Sequence, residues 1–429
     1  MSFYHQYFLN NYRKLIIAYS GGIDSHCLLH MLAQDNTLRN RICAVHINHG
    51  INQQANEWAQ HCQQVCDALQ IPLQIFALDI KPIAGDSLEA IARTARYQAL
   101  AELVKDEEAL LTAHHLDDQA ETMLLQLFRG AGVAGLAAMP TKKTFARGWH
   151  IRPLLEVTRK QLMQYAQQYQ LNWLEDQSNQ DSQFTRNYLR HKIMPILKEK
   201  WPSVAKTIAR SSQHCAQTIT LLQELAESDL QYCLLDDKVL SLPSFIKLST
   251  ARQVNTLRFW LQQLTNCYPD QNTLMTILHQ LIKAKRDAKP ELYWNGKIIR
   301  RFQQTLYCLP KQQKDLVKQE YDWDWKTPFV HHNFNLTANI KFGFGLDQKK
   351  LPLKLKIKFR SGGETIKPYK REQTHSLKKL FQEWNIPPWQ RSNIPLIFAE
   401  EELIAVIGYC YHNDYMVTSD QQGVVLEKY

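Results

Sequence analysis

A chain of 429 residues with 45% hydrophobic content is long enough for two or three domains with packed cores, and a net charge of +10 favours a polyanionic partner such as nucleic acid. No apolar run approaches the roughly 18 residues of a membrane span, and the start MSFYHQ lacks the basic and apolar parts of a secretion signal. The nine cysteines are scattered without a CxxC pair, which points to free thiols in a reduced, cytoplasmic protein.

The stretch from Lys14 to Ser25, KLIIAYSGGIDS, reads as a short apolar strand (Leu15 to Tyr19) running into a glycine-rich turn. A helix with apolar positions at Cys27, Leu28, Met31 and Leu32 follows. Such a turn suits an anion. Gly21 and Gly22 let the backbone approach, the N-terminus of the helix that follows the turn adds partial positive charge, and Ser20 and Ser25 offer hydroxyls. No Lys follows the glycines, so this is not the GxxxxGK[ST] phosphate loop. Asp24 would repel a phosphate unless a divalent cation bridges them, which makes it a candidate Mg²⁺ ligand. The plain alternative is a strand-to-helix turn with serine caps.

A second strand at 41–48 ends in His46, His49 and Gly50, either nucleotide contacts or a simple strand exit. A helix (Glu57 to Leu69), a strand (Leu73 to Leu78), a helix (Ser87 to Val104) and a strand (Ala109 to Ala113) follow. This alternation predicts an α/β fold: a doubly wound, Rossmann-like parallel sheet with ligands at the carboxyl ends of its strands. The clusters Ser20–Ser25, His46–Gly50 and His114–Glu121 all fall at such ends. Glu89, Arg93 and Arg96 share one helix face, and the arginines suit ATP phosphates unless the face is merely salt-bridged. In TAHHLDDQAET at 112–122, His114, Asp117 and Glu121 share a face with Asp118 alongside. Carboxylates dominate, which suits Mg²⁺ over zinc, while acids capping a helix N-terminus is the bland reading. GAGVAG at 130–135 matches GxGxxG, but it follows the apolar helix Met123 to Phe128 and not a strand, so a helix stop explains it.

From RPLL at 152–155 the pattern turns helical. A helix from Thr158 to Gln170, a polar loop from Glu175 to Ser182, a helix opening at Arg186 and a long helix within Pro202 to Leu230 are expected. Composition shifts near 230–245. A mixed module follows to about 310, with strands at Glu291 to Tyr293 and Lys297 to Phe302. Residues 311–345 read as irregular and aromatic-rich, and a last domain begins at Lys350. There Leu353, Leu355, Ile357 and Phe359 alternate with Lys354, Lys356, Lys358 and Arg360. This predicts a half-buried strand whose cationic face is either solvated or laid on RNA phosphates. SGGE at 361–364 echoes the first turn without its Asp or its helix.

SGGIDS at 20–25 resembles the pyrophosphate (PP) loop of N-type ATP pyrophosphatases. With HINHGI at 46–51, EAIARTARY at 89–97, TAHHLDDQAET, RPLL, EDQSNQDSQFTRNYLR at 175–190, RSGGETIKP at 360–368 and LKKLFQEWNIPPWQRSNIPLIF at 377–398, most of the chain resembles the tRNA(Ile)-lysidine synthetases. YKREQTH at 369–375 departs from the glycine-bearing basic segment frequent there. The resemblance implies a PP-loop catalytic domain at 1–215, a helical and mixed tRNA-contacting domain at 216–340 and a small α+β tRNA-binding domain at 345–429. It implies that ATP adenylates the C2 oxygen of the wobble cytidine in an isoleucine tRNA with a CAU anticodon, and that L-lysine displaces AMP to give lysidine.

By the same resemblance, Ser20, Gly21, Gly22, Ile23, Asp24, Ser25, His46, Arg93 and Arg96 would bind ATP, and Asp24 and Asp117 would hold Mg²⁺. Asp24, Asp117 and Arg93 would be catalytic. His114, Asp118, Glu121, Glu175, Asp176, Asn179, Arg186, Asn187 and Arg190 would face lysine, cytidine or tRNA, and Lys354, Lys356, Lys358 and Arg360 would grip the tRNA. A homodimer is left open. Two rivals stand beside this reading. A tRNA thiolase of the same superfamily would want a CxxC. A non-catalytic RNA-binding protein would not need SGGIDS and HHLDD intact.

Overall fold

Leu15, Ile16, Ile17 and Ala18 are all buried, because the strand β1 (Lys14–Ala18) lies inside a sheet covered on both faces. The computed structural model describes residues 9–48, 55–78, 88–175, 181, 183–284, 288, 290–311, 320–331 and 334–429. The chain divides into two compact units, Met1–Leu225 and Ala226–Tyr429.

In the first unit β1 is followed by α1 (Ile23–Ala33), β2 (Ile42–Asn48), α2 (Ala55–Leu69), β3 (Leu73–Ala77), α3 (Leu88–Leu103), β4 (Glu108–Leu111) and α4 (Leu116–Phe128). A hairpin of β5 (Lys142–Phe145) and β6 (Gly148–Ile151) completes the sheet. The order is β3-β2-β1-β4-β6-β5, parallel except for the edge strand β5. Leu15 and Ile17 pack into one cluster with Leu28 and Leu32, while Ile16 and Ala18 pack on the other face with Leu100 and Val104. Burial on both faces is why these strands read as continuous apolar runs. The chain winds from β1 towards β2 on one side and returns to β4 on the other, so the crevice of the switch point opens where β1 and β4 end.

The hairpin β5–β6 was not expected. KKTF has no apolar alternation, since only one side of this edge strand meets the core. Gly148 is required there: a Cβ would lie 2.3 Å from the carbonyl of Glu108.

α5 (Arg159–Gln168) begins at Thr158, whose hydroxyl accepts from the N–H of Gln161. α6 (Thr185–Tyr188), a π-helical segment (Leu189–Ile193) and α7 (Met194–Lys200) run on without a break, and α8 (Val204–Cys233) carries the division between the units.

The second unit opens with a five-stranded antiparallel sheet, β7 to β11, built from residues 234–310 and packed against helices such as Thr250–Thr265. Residues 321–342 correct the expectation of an irregular stretch. They form β12 (Tyr321–Trp323), β13 (Phe329–His331) and β14 (Phe334–Phe342). β14 pairs from Leu336 to Phe342 with the last strand, Gln422–Lys428, and β12 pairs with β15 (Leu355–Lys358). Phe334 and Leu336 point inward at period two, a pattern masked by the aromatic density around it. Leu353 is also corrected. It precedes β15 and is 79% exposed, while Leu355 and Ile357 are fully buried. Among the described residues no helix is long and apolar enough to cross a membrane.

Candidate active site

The turn after β1 is held open by its own side chains. Ser25 Oγ accepts from the N–H of Ser20 (3.2 Å) and donates to the carbonyl of Gly22 (2.9 Å), and Ser20 Oγ lies 3.1 Å from Ser25 Oγ. Gly21 adopts φ +83°, and a Cβ there would sit 3.2 Å from Cys62 Sγ. The N–H groups of Ile23, Asp24 and Ser25 open α1 and have no partner inside the helix, which makes the turn an anion cradle. His46 is buried behind this cradle and donates from Nδ1 to the carbonyl of Tyr19 (3.0 Å), so only its Nε2 is left for a nucleotide.

Asp24 Oδ2 accepts from Arg159 Nη1 at 3.0 Å and lies 3.7 Å from His115 Nε2, while its Oδ1 is buried without a partner among the described residues. An orphaned carboxylate oxygen beside an anion cradle fits a bridging cation. Asp117 differs, because both its oxygens are taken. Oδ1 accepts from Lys198 Nζ at 2.6 Å, and Oδ2 from the N–H of Arg159 at 2.9 Å. Burial pushes the Asp117 carboxyl up, but these two bonds outweigh it and hold it below the ordinary carboxylate range. Among the described residues no group of three or more His, Cys, Asp or Glu is arranged to enclose a metal.

Asp118 and Glu121 form a second carboxylate pair, closed by two arginines. Glu121, 2% exposed, accepts from Arg186 Nε (3.0 Å), Arg190 Nε (2.8 Å) and Arg190 Nη2 (2.9 Å). Asp118 accepts from Arg190 Nη2 (2.8 Å) and Arg186 Nη2 (3.2 Å). Burial raises the Asp118 carboxyl, yet His115 and the two arginines hold it below its ordinary value. Arg186 and Arg190 reach the pair together because they sit four residues apart at the join of α6 and the π-helical segment. His115 caps α4, with Nδ1 accepting from the N–H of Asp118 and the Asp118 side chain accepting from the His115 N–H.

A third group lies beside these. Thr112 Oγ1 is 2.8 Å from both His114 Nδ1 and His150 Nε2, and Arg152 Nη2 is 3.3 Å from His150 Nδ1. The His150 ring lies against Tyr97 (5.9 Å), over which Arg93 (5.3 Å) and Arg96 (6.0 Å) are placed. Arg93, Arg96, Lys143 and Arg152 make no ion pair among the described residues. Burial and the nearby Arg93 hold the Arg96 guanidinium below its ordinary value.

The structure therefore brings together Ser20 to Ser25, Asp24, Asp117, Asp118, Glu121, Arg186 and Arg190, with His114 beside them. Glu175 is exposed, and Asn187 donates to the carbonyl of Asp181 (3.0 Å). His49, Gly50, Asp176, Asn179 and the side chain of Glu89 lie outside the described residues. Gly130, at φ +69°, ends α4 as a helix stop, in keeping with the rejected dinucleotide motif. On β15 the cationic face is half neutralised. Lys358 lies 3.2 Å from Glu320 and 3.8 Å from Glu401, Lys356 lies 3.9 Å from Glu401, and Lys354 is exposed. Arg360 is placed over the Phe381 ring. The echo at 361–364 is closed by its own Glu364, which accepts from the N–H of Ser361 (2.6 Å) and of Gly362 (2.8 Å).

Sequence reasoning passed over His115, Arg159, Lys198, Thr112, His150 and Arg152. Only His115 carried a local signal, the N-cap to N3 spacing with Asp118. Cys27, Cys62 and Cys66 near the turn are pushed by burial up to about 12, the opposite of a reactive thiol.

Three known domain families match the chain: a PP-loop domain over residues 2–197, a TilS substrate binding domain over 240–307 and a TilS substrate C-terminal domain over 355–428. The chain is 42% identical over 420 residues to a tRNA(Ile)-lysidine synthase of Coxiella burnetii, covering 97% of this chain and 93% of that one. It is 42% identical to the tRNA(Ile)-lysidine synthase of Legionella pneumophila strain Lens, covering 96% and 94%, and 40% identical to that of Pectobacterium atrosepticum, covering 92% and 90%.

Proposed function

The chain belongs to the tRNA(Ile)-lysidine synthase family, and from that premise we propose how its residues divide the reaction. It is an ATP-dependent ligase that forms lysidine on tRNA(Ile). The observation that carries the residue assignment is the anion cradle of Ser20 to Ser25 next to two carboxylate pairs, Asp24 with Asp117 and Asp118 with Glu121.

In the first half-reaction the C2 oxygen of the wobble cytidine attacks the α-phosphorus of ATP, and pyrophosphate leaves. N–H groups at the α1 N-terminus, with the Ser20 and Ser25 hydroxyls, take up the charge that develops on it. Mg²⁺, held through the orphaned Oδ1 of Asp24, would neutralise part of the same charge. Asp117 remains in the proposal as an electrostatic neighbour, since both its oxygens have protein partners. Arg93 and Arg96, without carboxylate partners among the described residues, are assigned to phosphate groups of ATP.

In the second half-reaction the lysine amine attacks C2, AMP leaves with the former C2 oxygen, and the amine proton passes to a carboxylate. Asp117 is assigned to this amine as well, on the condition that the substrate ammonium displaces Lys198 from Oδ1. Asp118 and Glu121 with Arg186 and Arg190 are the other group assigned to lysine and cytidine. The residues beyond 216, including Lys354 and Arg360, are assigned to the tRNA body.

The test is incorporation of radiolabelled lysine by the purified protein with ATP and Mg²⁺ into isoleucine tRNA bearing CAU, with methionine tRNA as the control. No label with lysine, but turnover with a sulfur donor, would overturn the proposal in favour of a thiolase.

A further inference from the structure

The contacts around Thr112 have a direction. A guanidinium has donors only, so at the 3.3 Å contact with Arg152 Nη2 the Nδ1 of His150 must accept. Arg152 is itself anchored, with Nη1 donating to the carbonyl of Pro140 at 2.7 Å. A neutral His150 then carries its proton on Nε2 and donates to Thr112 Oγ1 at 2.8 Å. The threonine hydroxyl has one hydrogen to give. With an N–H arriving from His150, that hydrogen goes to His114 Nδ1, also at 2.8 Å. His114 therefore accepts at Nδ1, and its proton is left on Nε2. Thr112 and His150 are buried, while His114 is only partly buried and close enough to Asp118 on α4 for that charge to act on its ring.

We infer that the chain Arg152–His150–Thr112 fixes His114 as its neutral Nε2–H tautomer, a hydrogen-bond donor aimed at an acceptor atom of the target base. The identity of the acceptor rests on the lysidine reading; the tautomer does not. Cytidine carries two acceptors, O2 and N3, on the edge where the reaction occurs, and a donor, the exocyclic amine, beyond them. A locked donor favours that edge, and where it meets N3 it disfavours a pyrimidine whose N3 carries hydrogen. Thr112, His150 and Arg152 are positioning residues; His114 alone would touch the base.

The electrostatic surroundings agree. Burial pushes His150 down to about 2, helped by Arg152, His114, Lys143 and Arg96. Burial also takes His114 down to about 3, with Asp118 opposing and Arg152, Arg186 and Arg96 assisting.

The full-length protein, labelled with ¹⁵N at histidine, reads the tautomer directly from one-bond and two-bond nitrogen–proton couplings, with His114 assigned by its absence in His114→Gln. The expected signal is a neutral Nε2–H ring from pH 6 to 8 that shifts towards Nδ1–H in Thr112→Val. Lysine incorporation gives the second readout. His114→Gln places an amide N–H where Nε2 stood and should stay within about tenfold of wild type, whereas the isosteric acceptor His114→Glu should lose about 10²–10³-fold. A wild-type His114 found as Nδ1–H or as imidazolium would overturn the inference, as would equal loss in the Gln and Glu variants. The expected tautomer in a protein that incorporates no lysine would uphold the relay and sink the lysidine reading instead.

Discussion

Arg190→Met removes the side chain that makes three of the five arginine bonds to the Asp118–Glu121 pair. Glu121 would keep Arg186 Nε on Oε2, but Oε1 would lose the Arg190 bond at 2.8 Å and stay almost sealed from water, since its side chain is 3% exposed. Removing one partner of a buried ion pair costs about 3–5 kcal/mol. The Arg190 side chain is 26% exposed, so water can partly replace it, and the lower end, about 3 kcal/mol, is expected. For a unit of this size that corresponds to a Tm lowered by about 6–12 °C. Thermal unfolding of the full chain at neutral pH measures it. Arg186→Met should cost less, because Arg190 would still hold both carboxylates. A Tm within 2 °C of wild type for Arg190→Met, or a larger loss for Arg186→Met, would refute the view that Arg190 is the main counter-charge.

His26 and His150 are 5% and fully buried and are held by burial near 4 and 2. The unfolded chain binds protons at these residues below about pH 6.5 that the folded chain does not, so these two alone should lower stability by about 3 kcal/mol between pH 6.5 and pH 5, with His114 adding to the fall, and a flat profile would contradict it. Asp117 and Asp118, with depressed values, keep their contribution through that range and lose it only below the ordinary 3.8. Asp24→Asn should lower ATP-dependent pyrophosphate release by about 10²–10³-fold and blunt its dependence on Mg²⁺; an unchanged Mg²⁺ profile would remove Asp24 from the cation site. Lys354→Glu and Arg360→Glu should weaken tRNA binding and lower its salt slope by about one each, with the KM for ATP unchanged. Truncation near 345 is a poor substitute, because it strips β14 of its partner, the last strand Gln422–Lys428.

The first strand, its turn and α1 were legible in the sequence because one physical cause wrote them all. A strand buried on both faces is uniformly apolar, and the turn that follows needs Gly21 at positive φ. The clusters at the ends of β1 and β4 could be assigned to one edge for the same reason, once the alternation implied a parallel sheet. The pairs that finish the site were not legible. Arg159 meets Asp24 across 135 residues, and Lys198 meets Asp117 across 81, and no local spacing records either. β5 was hidden by its polar edge position, and the acids that half neutralise the cationic face of β15, Glu320 and Glu401, are too distant in sequence from its lysines for any local pattern to record them.

The widened turn at Leu189–Ile193 sets a phase between two grips. Upstream of it Arg186 holds the Asp118–Glu121 pair; downstream, on α7, Lys198 holds Asp117. Deleting Lys192 would let the turn relax to ordinary α-helical winding, in which four residues close the turn that five close now, so α7 would stay close to its present phase. Arg186 would stay in place, and Lys198 would still face Asp117. A deletion inside α7, where no widened turn absorbs it, would instead rotate Lys198 by about 100° away from Asp117, so one helix can counter both carboxylate pairs only while a length change is taken up at 189–193.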